Sequence, residues 1–195
     1  QLKDAVSHLP VGVSWNPHSK IVPLSNITPH KLKRGLSTID KGEKWLLKPK
    51  QDKDNPNLFS PGIKLGVKPG AFMHQTELFG PVIGIMCAEN LDHAIKIANA
   101  TGYGLTAGLE SLDENEQAYW SRYIKAGNAY INRPITGAIV QRQPFGGIGL
   151  SSFGLGLKAG GPNYLLQFMK IKEDRLPDEP VYLSKEIMIL KKINK

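Results

Sequence analysis

In the middle of the chain, two spacings of apolar residues alternate along the sequence. Short apolar runs predict buried strands, and apolar residues three and four positions apart predict amphipathic helices. The predicted elements are strand, helix, strand, helix and strand, at residues 82–86, 91–101, 105–111, 113–126 and 128–132. Asp113, with Glu116 three residues later, predicts a capping box at the second helix. Because parallel neighbours need a crossover helix, this order predicts an α/β fold with a doubly wound, mostly parallel sheet.

The flanking parts of the chain carry weaker patterns. Residues 1–9 predict a short helix, and a second helix is predicted from Leu32, Leu36 and Ile39 at helical spacing. Further patterns predict extended segments, at residues 44–49, 57–67, 164–171 and 181–190. We expect the last two to be edge strands that pair with a partner.

Residues 134–161 are rich in glycine and have little periodicity, yet they are neither highly charged nor repetitive. A segment of this kind at the C-terminal end of a parallel strand is where open α/β folds build ligand sites. Glycine also lets the backbone approach a substrate closely. A covered interior loop explains the composition equally well, so both interpretations stay open at this point.

The charge of the chain is uneven. Of the net charge of +8, residues 1–70 contribute most, with twelve Lys and Arg against five Asp and Glu. These lysines lie among glycine, proline and acidic residues without an aromatic stacking series, so we interpret them as a solvated surface and predict no nucleic-acid binding. The alternative is a basic nucleic-acid binder that uses this segment.

Other features of the composition concern the setting of the protein. With 195 residues and 41% hydrophobic residues, a single domain with a buried core is expected. One cysteine, Cys87, makes no internal disulfide, which favours a cytoplasmic location. No apolar run is long enough to span a bilayer, and residues 1–10 do not resemble a secretory signal. A first residue that is Gln1 instead of methionine suggests a longer parent sequence.

Standard motifs for cofactors and metals are missing from the sequence. There is no G-x-G-x-x-G, no phosphate-binding loop and no H-E-x-x-H, and the five histidines have no ligand spacing. We therefore predict no metal site. Cys87 follows an apolar strand without a nearby basic residue in sequence, so a buried thiol is a better interpretation than a nucleophile.

Two segments carry candidate chemistry. Glu77 and Phe79 come directly before the first buried strand, and a carboxylate there can accept two ribose hydroxyls. The alternative is a turn acid with a core phenylalanine. In the second segment, Thr136 and the amides of Gly137 and Ala138 can form a small nest that binds a carboxylate. The alternative there is a structural turn.

The order of several short motifs resembles the C-terminal half of the catalytic domain of NAD(P)-dependent aldehyde dehydrogenases, from about residue 1 to residue 171. The motifs are Glu77-Leu78-Phe79-Gly80-Pro81, Ala94-Ile95, Ala98-Asn99, Tyr103-Gly104-Leu105, Ala126-Gly127-Asn128, Asn132 and Pro144-Phe145-Gly146-Gly147. Their series is more specific than any single motif.

Within that superfamily, two further motifs resemble the 1-pyrroline-5-carboxylate dehydrogenases, which act on L-glutamate γ-semialdehyde. They are Thr136-Gly137-Ala138-Ile139-Val140 and Arg142-Gln143-Pro144-Phe145-Gly146-Gly147. Two others resemble the version fused into bifunctional proline utilization A enzymes. They are Gly42-Glu43-Lys44-Trp45-Leu46 and Lys158-Ala159-Gly160-Gly161-Pro162-Asn163-Tyr164.

The resemblance implies a role for each matching residue. Glu77 would hold the nicotinamide ribose of NAD, and Phe79 would pack beside the nicotinamide. Gly137 and Ala138 would bind the substrate α-carboxylate through their backbone N–H groups, and Phe145 would line the aldehyde tunnel. In this family a cysteine thiolate attacks the aldehyde, hydride passes to NAD, and activated water hydrolyses the thioester.

The nucleophilic cysteine and the general base of the family lie upstream of the segment that matches Gln1. The resemblance therefore implies a C-terminal fragment, inactive alone, whose partners are the N-terminal part of the same polypeptide and an aldehyde substrate. It divides the chain into residues 1–162, part of the catalytic domain, and residues 163–195, an oligomerisation strand and tail. Another aldehyde dehydrogenase activity and a non-catalytic oligomerisation module are the alternatives, and a homo-oligomer is expected.

Overall fold

A computed structural model of the chain describes residues 1–25, 30–136, 143–153 and 156–170. Its helices are α1 (Leu2–Ser7), α2 (His30–Ser37), α3 (Phe72–Gln75), α4 (Leu91–Asn99) and α5 (Glu114–Tyr123). Its strands are β1 (Lys44–Leu47), β2 (Gly62–Leu65), β3 (Val82–Ile85), β4 (Tyr103–Gly104), β5 (Thr106–Leu109), β6 (Asn128–Ile131) and β7 (Ile148–Gly149). A 3-10 helix follows at Tyr164–Phe168.

Strands and helices alternate through the central part of the chain, as the apolar spacing predicts. The strand pairs β2·β3 and β5·β6 are both parallel, whereas β1 runs antiparallel to β2 and β4 antiparallel to β7. Helix α5 connects β5 to β6, which is the expected crossover. In the part of the chain that the structure describes, no ladder joins β3 to β5. The α/β class with parallel pairing is confirmed.

The main core lies between α2 and the start of β3. It is a cluster of four buried aliphatic side chains, Leu32, Leu36, Leu78 and Val82. Leu32 and Leu36 are four residues apart, so they lie on the same face of α2. That face covers the chain that enters β3. Ile39, predicted as part of this apolar face, lies beyond the end of α2 and is exposed.

Helices α4 and α5 begin at capped N-termini and contact each other. The side chain of Asn90 accepts a hydrogen bond from the N–H of His93, and that of Asp113 accepts one from Asn115. Glu116 does not complete the predicted capping box, because its carboxylate accepts the hydroxyl of Ser111 at 2.6 Å. Within the described residues, Asp113 thus caps α5 without a reciprocal bond.

Hydrogen bonds from side chains join α4 to α5 and to the loop after α5. The hydroxyl of Tyr119 donates to Asp92 at 3.2 Å, and Lys96 forms an ion pair with the same carboxylate. The hydrogen bond from Lys96 is the main reason why the pKa of Asp92 lies below its usual value. Asn99 donates to the carbonyl of Tyr123 and accepts the N–H of Lys125. Helices α4 and α5 are therefore held in a fixed relation.

A buried ion pair lies under the β1–β2 hairpin. Lys64 on β2 is 1% exposed, and its ammonium group lies 3.6 Å from a carboxylate oxygen of Glu43 and over the ring of Trp45. The same oxygen of Glu43 accepts the N–H of Asp40, while its other oxygen has no hydrogen-bond partner among the described residues. Burial lowers the pKa of Lys64, and the attraction of Glu43 opposes that shift without cancelling it.

The predicted strand at residues 164–171 is wrong over its first five residues, because Tyr164–Phe168 form the 3-10 helix. An extended segment needs a neighbouring strand for its backbone N–H and C=O groups. Local bonds satisfy these groups instead, from the N–H of Leu166 to Asn163 and of Met169 to Leu166. The side chains of Leu165 and Phe168 remain exposed. The segments at residues 171 and 181–190 lie outside the described residues.

Across the described ranges, none of the helices is long and apolar enough to cross a bilayer. The longest of them, α5, has 10 residues.

We predict that Glu43→Gln lowers the free energy of unfolding by about 3 to 5 kcal/mol at neutral pH, since it leaves Lys64 buried without its counter-charge. The pKa of Lys64 is lower in the folded than in the unfolded state, so the unfolded state binds more protons between the two values and stability rises with pH there. The loss of unfolding free energy caused by Glu43→Gln should therefore be smaller at pH 10, because a neutral Lys64 is less costly to bury than a charged one. Urea denaturation at both pH values measures it.

Lys44→Met is the control for that experiment, because Lys44 lies on the same hairpin with an exposed side chain. It should leave the urea midpoint almost unchanged. An equal deficit for Glu43→Gln at pH 7 and pH 10 would contradict the role of the buried charge.

Candidate cofactor and substrate site

The segment that connects α3 to β3 presents two candidate residues to solvent on either side of a buried one. Glu77 is exposed, Leu78 is 7% exposed, and Phe79 is 77% exposed. The three side chains alternate between solvent and core, and the backbone bends at Phe79. Burial of Leu78 in the core therefore turns its neighbours outward. The alternative of a core phenylalanine at position 79 is wrong.

Phe79 has a backbone conformation that residues with a side chain rarely adopt. Its φ is 53°, in the left-handed region, which costs on the order of 1 to 2 kcal/mol for a residue other than glycine. The chain bends at Phe79, between the buried Leu78 and Gly80. The ammonium group of Lys31, on α2, lies 5.8 Å from the centre of the Phe79 ring. The ring is thus held at the surface by a strained turn.

A cavity of about 360 Å³ lies between this segment and strands β4 and β5. Its lining includes several polar groups, among them Glu77, Thr76, Thr106, Lys125 and Ser151. A concave surface with a carboxylate and hydroxyl groups suits a ligand that offers hydroxyl donors.

His74, at the end of α3, fixes one wall of this cavity. One ring nitrogen, Nδ1, accepts the N–H of Gly70 at 2.9 Å, and Nε2 lies 2.9 Å from the carbonyl of Ile97 on α4. Since a carbonyl only accepts, Nε2 carries the proton and His74 is bound as the neutral tautomer. The ring ties the segment before Glu77 to α4.

The loop that carries Phe145 is attached to the β5–β6 sheet by a buried amide. Asn128 on β6 is 3% exposed, and its Nδ2 donates to the carbonyls of Leu105 and Gly146, each at 3.0 Å. Phe145 exchanges two backbone hydrogen bonds of 2.9 Å with Ala159. The half-buried ring of Phe145 therefore lies in a loop that is bonded on both sides.

Close backbone approach accounts for the glycine at position 127. A Cβ atom on Gly127 would overlap the carbonyl oxygen of Gly146, and the ammonium group of Lys158 donates to the carbonyl of Gly127. The same loop continues through β7 to Ser151, whose hydroxyl accepts the N–H of Gly104 at 3.1 Å and lines the cavity beside Glu77. The described residues of the glycine-rich segment therefore pack against β4 and β6 and reach the cavity.

The structure brings some of the predicted site residues together and does not describe others. Glu77 lines the cavity, Phe79 lies two residues away at the surface, and Phe145 belongs to the loop that returns to the cavity through Ser151. Gly137 and Ala138, the predicted carboxylate nest, lie outside the described residues.

Sequence reasoning gave no role to Asn128 and predicted Cys87 wrongly. A polar residue in a strand of otherwise apolar character, directly after Gly127, is the signal that could have identified Asn128 as a buried anchor. Cys87 is exposed after the end of β3, so the expected buried thiol is wrong. The described residues contain no group of three or more His, Cys, Asp or Glu side chains close enough to hold a metal ion.

The sequence matches the profile of the aldehyde dehydrogenase family over residues 1–173. The chain belongs to the aldehyde dehydrogenase family. The resemblance in the ordered motifs is thereby confirmed, and Glu77, Phe79 and the loop of Phe145 lie within the matched residues.

A curated protein sequence and a solved structure are both similar to this chain. A 1-pyrroline-5-carboxylate dehydrogenase of Geobacillus sp. (strain WCH70) is 41% identical over 135 residues, which are 69% of this chain and 26% of that protein. The structure of proline utilization A from Corynebacterium freiburgense is 48% identical with a TM-score of 0.86, covering 97% of this chain and 20% of that one.

A third similar protein was solved with a ligand. The 1-pyrroline-5-carboxylate dehydrogenase from Thermus with bound NAD is 31% identical with a TM-score of 0.72, covering 87% of this chain and 32% of that one. The chain therefore spans about a third or less of the length of each of these three relatives. The aldehyde dehydrogenase fold class is confirmed by these neighbours.

We predict that Asn128→Leu, which keeps the branched shape of the side chain, lowers the free energy of unfolding by about 2 kcal/mol, because two buried carbonyls lose their donor. Cleavage near Phe145 in limited proteolysis should also become faster, since Gly146 is released from β6. Asn115→Leu, on an exposed part of α5, is the matched control and should change neither measurement. Unchanged stability and cleavage in Asn128→Leu would contradict the anchor.

Proposed function

We propose that this chain supplies the C-terminal part of the catalytic domain of an NAD-dependent L-glutamate γ-semialdehyde dehydrogenase. The reaction oxidises the aldehyde to L-glutamate, in proline catabolism. The observation that carries the proposal is the exposed pair Glu77 and Phe79 beside a polar cavity, in a chain similar along 97% of its length to a proline utilization A enzyme.

NAD is the proposed cofactor, and the residues of the segment fit it. An exposed carboxylate such as Glu77 accepts two hydroxyl donors at once, which matches the two hydroxyls of a ribose. Phe79 offers an exposed flat ring for contact with the nicotinamide end. We name residues 77–79 the cofactor clamp. When bound, NAD accepts the hydride of the aldehyde.

Substrate binding is assigned to the glycine-containing segment after β6. Backbone N–H groups of Gly137 and Ala138 bind the α-carboxylate, and Phe145 lines the path of the aldehyde. Two converging amides suit a carboxylate, since both donate to oxygen. Ala138 has no hydroxyl group, so binding there relies on the backbone alone.

The chemical steps are divided between this chain and the rest of the enzyme. The thiolate that attacks the aldehyde and the base that activates water come from outside this sequence, in the N-terminal part of the same polypeptide. Residues of this chain bind and orient: Glu77 and Phe79 fix the cofactor, and Gly137, Ala138 and Phe145 fix the substrate. Correct placement of both reactants is itself a large part of the rate enhancement.

A homo-oligomer in the cytoplasm is part of the same proposal. The 3-10 helix exposes apolar side chains at Leu165, Leu166 and Phe168, a surface that suits contact with another subunit. The single cysteine fits a reducing compartment.

We predict that Glu77→Ala in the full-length enzyme raises the KM for NAD about 10- to 100-fold, because a carboxylate that accepts two hydroxyls contributes about 1.5 to 3 kcal/mol. The KM for L-glutamate γ-semialdehyde should change little. NADH formation at 340 nm is the measurement, with a plain aliphatic aldehyde for comparison. Glu110→Ala, an exposed carboxylate at the end of β5, is the control. Failure of the wild-type enzyme to oxidise the semialdehyde would refute the proposed substrate.

The purified 195-residue chain alone should form no NADH from the semialdehyde and NAD, because it lacks the attacking thiolate. Cys87→Ser tests whether the one thiol of this chain contributes to any NADH formation. Turnover by the chain that disappears in Cys87→Ser would overturn both the division of labour and the non-catalytic interpretation of Cys87.

A further inference from the structure

Helix α2 packs directly against the cofactor clamp. The inward residues Leu32 and Leu36 form one cluster with Leu78, the middle residue of the clamp, and with Val82 at the start of β3. None of the α2 residues in this cluster reaches the cavity lining. Their contact is with the buried side of the segment whose exposed side carries Glu77 and Phe79.

Two glycine–leucine contacts interlock the helix and the segment. A Cβ atom on Gly35 of α2 would overlap one methyl group of Leu78 and lie 3.4 Å from the other. In the reverse direction, a Cβ atom on Gly80 would overlap one methyl group of Leu32 and lie 3.0 Å from the other. Leu78 of the segment thus packs against the backbone of α2 at Gly35, and Leu32 of α2 packs against the backbone of the segment at Gly80.

The two contacts enclose the strained residue. Phe79, with φ of 53°, stands between Leu78, which fills the notch at Gly35, and Gly80, which Leu32 covers. A residue in the left-handed region keeps that conformation only where its neighbours impose it. The packing of α2 supplies that constraint on both sides of the bend.

We propose that Gly35 and Leu32 are positioning residues for cofactor binding, which act through Leu78 and Gly80 on Glu77 and Phe79. This inference rests on the proposed role of the clamp in binding NAD. A side chain at position 35 pushes Leu78 outward, and the bend at Phe79 moves with it. The carboxylate and the ring then no longer face the cofactor together.

The helix itself gives a reason to examine position 35. Glycine is a poor helix former and alanine the best, so helix propensity alone favours Gly35→Ala, whereas the contact with Leu78 opposes it. Positioning of the clamp predicts that Gly35→Ala weakens cofactor binding. The deciding measurement is therefore NADH binding by the folded variant, compared with its binding of the aldehyde substrate.

The test uses the full-length enzyme and compares Gly35→Ala with wild type. We expect the dissociation constant for NADH, measured by fluorescence titration without substrate, and the KM for NAD each to rise about tenfold. The KM for the semialdehyde should stay within about twofold. The double variant Gly35→Ala/Leu78→Val removes the overlapping methyl groups and should restore NADH binding to within about threefold of Leu78→Val alone.

Lys33→Ala on the exposed side of α2 is the control and should leave every constant unchanged. If Gly35→Ala does not fold, Leu32→Val decides the question, because it shortens the side chain over Gly80 while remaining apolar; a threefold or greater loss of NADH binding is expected there.

Unchanged NADH binding in Gly35→Ala, or in Leu32→Val where that variant is the one used, overturns the positioning role. If Glu77→Ala still weakens binding in the same assay, the proposed function survives that result. If Glu77→Ala leaves NADH binding unchanged as well, the clamp assignment itself fails.

Discussion

Burial of Leu78 is the contact on which the arrangement of the site depends. Its side chain joins Leu32 and Leu36 of α2 and Val82 of β3 in one cluster, so a single residue connects a helix, a strand and the segment between them. Loss of apolar contact at such a point is costly, because interiors are packed as densely as organic crystals. The exposed positions of Glu77 and Phe79 follow from where Leu78 is held.

Side chains that bond to backbone groups of other elements extend this order to the rest of the site. His74 attaches the end of α3 to the carbonyl of Ile97, and Asn99 attaches α4 to the loop after α5. Asn128 connects β6 with the loop of Phe145. The walls of the cavity, formed by the segment before β3 and by strands β4 and β5, are thus connected through α4 by polar side chains. Such bonds fix direction as well as distance.

Local patterns in the sequence predict much of the fold. Strand β3, helices α4 and α5 and strand β6 have strong apolar spacing, and each lies where that spacing places it. Residues 164–168 were predicted wrongly, because a strand depends on a partner that no local pattern contains. The capping box predicted with Glu116 is also wrong, because the hydroxyl of Ser111 donates to the Glu116 carboxylate instead.

The site was partly predictable for the same physical reasons. Glu77 and Phe79 were recognised from their own motif, whereas the notch at Gly35 that receives Leu78 joins positions far apart in the sequence. The ordered motifs identified the aldehyde dehydrogenase family, which the profile match over residues 1–173 confirms. The assigned roles of Glu77, Phe79 and Phe145 remain proposals.

The alternation of outward, inward and outward side chains over residues 77–79 also constrains the length of the connection between α3 and β3. Insertion or deletion of one residue there would move Leu78 out of its contact with α2 and bring a neighbouring side chain to its position. A carboxylate or a strained phenylalanine would then compete for the space of Leu78. This connection can therefore accept substitutions at its exposed positions more readily than any change in its number of residues.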